Sequence, residues 1–349
     1  MKKLHYIIPT LFLLLATASC EKMIEFDIDE VNPMVVVASQ NEVDSTAYVR
    51  LTYSRFFLDH HDFRVIDNAN IQLYVNGTAF NGSPTFDGNR YLLGYKPQPG
   101  DTMSISIDVP GYETVTAGTR VPQRPTISNP QVQVQPSDDN YYPYVEVRID
   151  LTDDGETENY YSVTVYEDAR WLYIQYTTDM AGDTIADTTN NGWSYQPIWC
   201  EMNDVVINPN TDVTAVLDDD SDTRDIFFFT DENINGRTHS IPLRFRVYGT
   251  NRTDTTVTSS AYYIDHEEHS YYLQVVSYNR DTYRYLRTAQ AASDENNDLS
   301  IFSEPTQVYS NINNGIGIFG AKSSKVIKLD IPDIEMPSWY YKQKQNNKK

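Results

Sequence analysis

At residues 103–109 the sequence is Met-Ser-Ile-Ser-Ile-Asp-Val, with an apolar side chain at every second position. Side chains of a β-strand point alternately to opposite faces of a sheet, so this period of two predicts a strand with one buried and one wet face. Similar runs occur at residues 34–38, 47–54, 70–75 and 112–121. Between them lie Asn-Gly and Asp-Gly pairs, which supply the positive φ angles of tight hairpin turns.

About seven short strands over roughly 100 residues are typical of an immunoglobulin-like or fibronectin-like β-sandwich. We therefore predict a first sandwich domain over residues 20–122. The boundary is placed at the segment Pro-Gln-Arg-Pro, residues 122–125, because its two prolines lack the N–H groups that a strand ladder needs.

Beyond that boundary the pattern predicts a second β-rich domain over residues 123–335. Strands are predicted at residues 131–135, 144–151, 160–166, 226–230, 241–248, 270–278, 305–309 and 325–331. Asn235-Gly236 is expected to join two of them as a hairpin, and Asp281 to cap one short helix that ends near Ala292. The predicted fold class is all-β, with two β-sandwich domains and one short helix in the second. Residues 336–349 are expected to be a disordered basic tail.

The first twenty residues have the layout of a bacterial lipoprotein signal. Lys2 and Lys3 precede a mostly apolar stretch, and small residues precede Cys20, although Thr17 stands where such signals usually have leucine. Residues 1–19 are therefore predicted to be a signal peptide. Cys20 would then carry a diacylglycerol and a further acyl chain such as palmitate, which together anchor a protein firmly in the outer membrane. The alternative is an ordinary signal peptide followed by an incidental cysteine.

Acidic residues follow Cys20 closely, between Glu21 and Glu30. Such residues resemble the surface-export signals of lipoproteins, which favours exposure at the cell surface. The same segment also fits a first strand from Ile24 to Ile28, and the two interpretations are compatible.

The composition narrows the classes of function. The formal net charge is -22, which repels nucleic-acid phosphates and anionic membrane surfaces, so no nucleic acid is expected as a partner. No apolar run after the signal approaches the roughly 20 residues needed to span a bilayer. Cys200 has acidic neighbours in Glu201 and Asp204. It is therefore expected to be a small, buried packing residue rather than a nucleophile.

Three motifs are similar to ligand sites but lack the context that the chemistry needs. Residues 315–320 match Gly-x-Gly-x-x-Gly without a following helix, so the glycines are expected to allow close packing between strands. The histidines at residues 60–61 and 266–269 lack the spacing of a metal site and are expected in solvated loops. Residues 218–222 start like a calcium loop, but Thr223 replaces its glycine, so an acidic turn is expected. We therefore predict no cofactor, no metal, no catalytic residue and no enzymatic activity.

Three of the four tryptophans lie in one segment, which we interpret as a long excursion from residue 171 to residue 200. Its aromatic residues are Trp171, Tyr173, Tyr176, Trp193, Tyr195 and Trp199. Exposed aromatic rings suit stacking on sugars or docking of a protein partner, so Trp171, Tyr173, Trp193, Tyr195 and Trp199 are the candidate binding residues. The alternative is that these rings cover the open end of a sandwich core.

Several segments together carry a resemblance to a known family. They are Tyr48–Leu51, Phe229–Glu232, Asn235–Arg237, Tyr283–Leu286, Phe302–Pro305, Val308–Ile312 and Gly315–Gly320. In these segments the chain resembles the Bacteroidetes outer-membrane lipoprotein family known as domain of unknown function 4249.

The resemblance implies a surface or outer-membrane lipoprotein without an established activity, of a kind often encoded beside TonB-dependent receptors. The expected function is accordingly an accessory binding or assembly partner of a TonB-dependent transporter. The alternative is a free-standing surface module that binds glycan or protein.

Overall fold

The computed structural model describes residues 32–56, 61–135, 142–178, 184–207, 223–247, 249, 251–257, 261–297, 307–332 and 334. All elements named below belong to one compact unit. Strands make up 56% of the structure and helix 6%, so the prediction of an all-β fold with a single helix is confirmed.

The strands of the described residues form three sheets. A ten-stranded sheet contains β1 (Val35–Glu42), β2 (Tyr48–Tyr53), β5 (Thr85–Phe86), β6 (Tyr91–Leu92), β11 (Tyr160–Thr178), β12 (Thr184–Ile198), β15 (Phe227–Thr230), β17 (Arg252–Val257), β18 (Ala261–Tyr278) and β19 (Ile316–Leu329). A four-stranded sheet contains β3 (Asn70–Val75), β4 (Thr78–Ala79), β7 (Thr102–Asp108) and β8 (Val115–Arg120). A five-stranded sheet contains β9 (Thr126–Gln135), β10 (Tyr144–Thr152), β13 (Cys200–Glu201), β14 (Thr223–Arg224) and β16 (Thr238–Arg246). The helix α1 covers Arg280–Asn297.

The first hydrophobic core is built on the alternation seen in the sequence. In β7 the side chains of Met103, Ile105 and Ile107 are buried, and the residues between them are more accessible. They pack in one cluster with apolar residues of β1, β2, β3, β8 and β19. One of the predicted Asn-Gly turns, that at residues 76–77 after β3, is confirmed, because Asn76 and Gly77 both have positive φ and β3 pairs with β4 across them.

The strand that completes this core comes from the far end of the chain. β19 pairs in parallel with β1, from Val36 opposite Ile316 to Glu42 opposite Lys322. A side chain at Gly317, where φ is +111°, would place its Cβ 2.1 Å from the carbonyl oxygen of Val37. The predicted role of these glycines in close strand packing is therefore confirmed.

The second core lies between the ten-stranded and five-stranded sheets. It combines buried residues of β10 and β16 with buried residues of β11 and β18, among them Val147, Val163 and Leu273. Cys200 belongs to this cluster, and burial raises the pKa of its thiol to about 12. The predicted packing role of Cys200 is confirmed.

Helix α1 packs on the face of the ten-stranded sheet that points away from the cores. Tyr160 and Tyr278 of the sheet contact Tyr283 and Leu286 of the helix in a small apolar cluster. The prediction of Asp281 as the helix cap is wrong. Asn279 is the capping residue, because its side-chain oxygen accepts the N–H of Thr282 at 3.0 Å.

Three further predictions about local structure are wrong. β15 pairs with β11 while β16 pairs with β10, so the strands on either side of Asn235-Gly236 lie in different sheets and form no hairpin. In the segment from residue 171 to residue 200, residues 171–178 of β11 pair antiparallel with residues 184–192 of β12, with one register shift, so they extend the ten-stranded sheet rather than form an excursion. We call this antiparallel pair the hairpin of β11 and β12. Residues 307–310 are not in a strand. The first two errors concern which strands pair, which no short stretch of sequence specifies.

Several predictions lie outside the described residues: the signal peptide at residues 1–19, Cys20, the strand at residues 24–28, the acidic turn at residues 218–222 and the tail at residues 336–349. The domain division after residue 122 stays a prediction. No helix in the described part of the chain is long and apolar enough to cross a membrane.

Candidate functional site

The candidate aromatic residues lie on or beside the hairpin of β11 and β12. Trp171 and Tyr173 belong to β11, and Trp193 and Tyr195 belong to β12. Trp199 follows β12, at the point where the chain leaves the ten-stranded sheet and enters the five-stranded sheet through β13. Trp193 and Tyr195 pair with residues 170 and 168 of β11 and therefore lie on one face of the sheet. Trp171 and Tyr173 occupy the alternate positions of β11 and lie on the other face.

Aromatic rings from three neighbouring strands form one group on the outer face of the sheet. Tyr166 of β11 stacks on Tyr195, with ring centroids 5.0 Å apart and planes 6° from parallel. Trp193 in turn stacks on Tyr195 at 6.3 Å and 18°. Tyr272 of β18, which pairs with Tyr166, lies 6.4 Å from the Tyr195 ring. We call these four residues, Tyr166, Trp193, Tyr195 and Tyr272, the aromatic row.

The aromatic row occupies the same sheet face as helix α1 but lies further along the strands. The helix covers Tyr160 and Tyr278, six residues away from Tyr166 and Tyr272. Trp193 remains 62% exposed and Tyr195 45% exposed. The interpretation of these rings, and of Trp199 at 67% exposure, as a cover over the core is therefore wrong. The exposure of Trp199 follows from strand alternation, because its neighbours Ile198 and Cys200 point into the second core.

Charged side chains hold the exposed end of the row. The indole Nε1–H of Trp193 donates to Asp168 Oδ1 at 2.7 Å, and Arg170 forms an ion pair with Asp168 at 3.2 Å. Burial raises the pKa of Asp168, but the hydrogen bonds from Arg170 and Trp193 outweigh it and hold that pKa below its usual value. The indole is therefore anchored by a carboxylate that stays ionised at neutral pH.

Trp171 and Tyr173 are placed differently from the row. Both are half-buried. The Trp171 ring lies against Gly192 so closely that a Cβ at Gly192 would sit 2.3 Å from the indole. Trp171 thus packs within the hairpin itself, where glycine leaves room for the ring. Of the five candidates, Trp193, Tyr195 and Trp199 are the ones that present large exposed surfaces.

The stacked geometry indicates which ligands suit the row. Because Tyr166 and Tyr195 cover each other's ring faces, those faces offer no flat platform for a sugar. Ring edges, a partly exposed indole and the guanidinium of Arg170 remain accessible. Trp, Tyr and Arg are the residue types that dominate the binding energy of protein interfaces.

Four residues of this site were not predicted from the sequence: Tyr166, Asp168, Arg170 and Tyr272. A signal was present, since Tyr166 ends the predicted strand at residues 160–166 and alternates with the buried Val163 and Val165. The pairing of β11 with β18, which brings in Tyr272, could not be inferred from either strand alone.

A second polar cluster lies on the inner side of the same strands. Glu167 Oε1 accepts hydrogen bonds from the His269 ring at 3.0 Å and the Tyr271 hydroxyl at 2.8 Å. Burial raises the pKa of Glu167, but these two donors outweigh it and lower that pKa. The cluster borders a cavity of about 250 Å³ beside Lys328 and Asp330.

This cluster corrects the prediction that the histidines at residues 266 and 269 lie in a solvated loop. Both are inside β18, and the side chain of His269 is only 15% exposed. Residues 265–270 of β18 are as polar as a loop, because they lie before the part of the strand that contributes to the second core. Within the described residues, no three histidine, cysteine or acidic side chains are grouped as metal ligands.

Comparison with known proteins addresses the resemblance noted in the sequence. No curated protein matches the chain. The family profile described as Domain of unknown function (DUF4249) matches residues 21–327 and thereby confirms that resemblance. Since the match spans most of the sequence, the chain belongs to this family, Domain of unknown function (DUF4249).

Proposed function

We propose that this protein is a lipid-anchored docking protein of the outer membrane, which holds a protein partner on its aromatic row. The partner we propose is a TonB-dependent transporter in the same membrane. The observation that carries the proposal is the exposed, carboxylate-anchored stack of Trp193 on Tyr195. Neither ring belongs to a buried core cluster of the described residues, since Trp193 is 62% and Tyr195 45% exposed.

The energetics of such a contact are reasonable. A buried tryptophan or tyrosine at the centre of an interface contributes about 2 kcal/mol or more when it is truncated to alanine. Asp168 already fixes the Trp193 indole, so little side-chain entropy is lost on binding. Two proteins confined to one membrane also meet at a high effective concentration, so a modest contact suffices.

Enrichment of the partner from native outer membranes tests the proposal. The tagged protein is crosslinked in cells, purified and analysed by mass spectrometry. The paired variant Trp193→Ala with Tyr195→Ala should recover far less transporter, while its melting temperature stays close to that of the unaltered protein, because both rings are exposed. Phe63→Ala removes an aromatic side chain of similar exposure (51%) elsewhere and should have no effect on recovery.

Two outcomes would count against docking of a transporter on the aromatic row. Collapse of the melting temperature in the paired variant would make these rings structural. Recovery of no transporter by the unaltered protein would remove the accessory role.

The anchor is tested separately from the partner. We expect Cys20→Ala to release the protein from the membrane fraction, because no acyl chain would then be attached. Retention of this variant on the membrane after a carbonate wash would contradict lipidation at Cys20.

A free-standing surface module that binds glycan or protein is the second candidate. Trp199 favours it, because its indole is 67% exposed and stacks on no member of the aromatic row. A glycan array probed with the purified protein distinguishes the two. Glycan binding that is lost in Trp199→Ala, with no transporter recovered, would support the free-standing module.

A further inference from the structure

The ten-stranded sheet ends at β12, and this edge differs from the other sheet edges in the described residues. β4, β5 and β14 are edge strands of two residues each, β15 has four residues, and β8 and β17 have six. β9 has ten residues, but Pro130 has no backbone N–H to donate and Asn129 has a positive φ of 50°, so its edge is irregular. Short length, proline and irregular backbone are the usual ways in which proteins protect a sheet edge. β12 lacks most of this protection.

β12 presents a long row of backbone hydrogen-bonding groups. It has fifteen residues, and in the described part of the chain β11 is the one strand that pairs with it. The pairing of β12 with β11 shifts register between Tyr173 and Ile174 of β11, and it is continuous on one side of that shift, from Asn190 to Ile198 of β12. Over Asn190–Gln196 this segment contains no proline and no charged residue. Alternate N–H and C=O groups on its outer side are therefore available to another strand.

We propose that β12 pairs antiparallel with β12 of a second copy of this chain, so that the two ten-stranded sheets join into one. A two-fold axis through the edge makes the two strands mutually complementary, since each N–H of one copy meets a C=O of the other. This proposal rests on the backbone edge and is independent of any transporter.

Charge is what selects a second copy at this edge. Each chain has a net charge of -22, so most surfaces of two copies repel each other. Residues 188–198 carry no charged side chain, although 49 of the 349 residues are acidic. The uncharged run is therefore a place where two such acidic chains can approach without opposing like charges.

The pairing would also extend the aromatic row. Trp193 and Tyr195 lie in β12 itself, so a partner strand brings the same two residues of the second copy to the same face. Aromatic pairs across neighbouring strands are favourable contacts. One continuous aromatic surface would then run across both copies.

The oligomeric state of the full mature chain tests the pairing. Sedimentation velocity from about 1 to about 100 µM protein should show a monomer–dimer equilibrium, as expected for a contact of modest area. Amide hydrogen exchange should slow at residues 190–196 as the protein concentration rises. A monomer at every concentration, or exchange at residues 190–196 that does not change, would overturn the proposal.

A charge placed on the edge sharpens the test. Asn191→Lys puts a cation on an exposed position of both paired strands and should weaken dimerisation by about tenfold or more. Val326→Lys is the matched control, at a 46% exposed position of β19 in the interior of the same sheet, and should dimerise normally. Unchanged exchange in β10 will show that each variant is folded. A dimer that Asn191→Lys leaves intact, or that Val326→Lys weakens equally, would refute pairing through β12.

Discussion

The carboxylate of Asp153 accepts a hydrogen bond from the backbone N–H of Gly236, with 2.9 Å between the oxygen and the nitrogen. The same oxygen accepts the N–H of Gly155 at 3.1 Å, and the other oxygen accepts the Tyr161 hydroxyl at 2.8 Å. A single buried side chain thus fastens two turns that are distant in the sequence. The motif around Asn235-Gly236, part of the family resemblance, has a structural role in this contact.

We expect Asp153→Ala to lower the free energy of unfolding by about 3 kcal/mol, because the buried Tyr161 hydroxyl and the backbone N–H groups of Gly155 and Gly236 lose their carboxylate acceptor at once. Asp154→Ala is the control, since this neighbouring carboxylate is exposed and caps only its own turn. It should lose about 1 kcal/mol or less. Urea unfolding measures both, and equal losses would contradict the role given to Asp153.

The close approach of the two turns leads to a second prediction. A Cβ at Gly155 would lie 2.6 Å from the Cα of Gly236, and φ at Gly155 is +70°. Gly155→Ala should therefore destabilise the protein by about 3 kcal/mol or more. Gly88→Ala also has a positive φ but meets no atom within 4 Å, so it should lose only about 1 kcal/mol. Thermal unfolding of the two variants side by side separates steric overlap from backbone strain.

The Glu167 cluster predicts a specific acid sensitivity. The pKa of Glu167 in the folded protein lies below the reference value of 4.5, so its contribution to stability is present above that pH. It is lost as the pH falls through the lowered pKa, because the unfolded chain then binds the proton more readily. Glu167→Gln should consequently lose less stability than the unaltered protein on acidification. The exposed residue Glu113 provides the control, and Glu113→Gln should retain the full dependence.

Cys200 should be inert in the folded protein. Its thiol is buried and has a pKa of about 12, so almost no thiolate forms at pH 8 and reagents cannot reach it. Iodoacetamide should leave the native chain unmodified and alkylate it fully in denaturant, as measured by intact mass. Rapid labelling of the native protein would mean that the second core opens readily.

Local structure was predictable wherever neighbouring residues determine it. The alternation at Met103, Ile105 and Ile107 identified β7, and the conformational preference of Asn76-Gly77 identified the turn between β3 and β4. Burial of Cys200 followed from its acidic neighbours and the lack of a base. In each case the physical cause lies within a few residues.

Long-range pairing could not be predicted in the same way. Asn235-Gly236 indicates a turn but does not determine whether the next strand returns to the same sheet, and here it enters another. His269 lies in a strand whose polarity is typical of a loop, because that part of β18 projects past the second core. The aromatic row depends on the register of β11 with both β12 and β18, so only half of its members could be identified in advance.

The parallel pairing of β1 with β19 has a consequence for the order of folding. The first core cannot close until Phe319 and Ala321 are available, and both belong to β19, the last strand of the described residues. The strands before residue 122 must therefore keep an exposed apolar surface until nearly the whole chain is present, and such non-local topologies fold slowly. Truncation a few residues before β19 would then remove a strand from the middle of the largest sheet, and both cores would be lost with it.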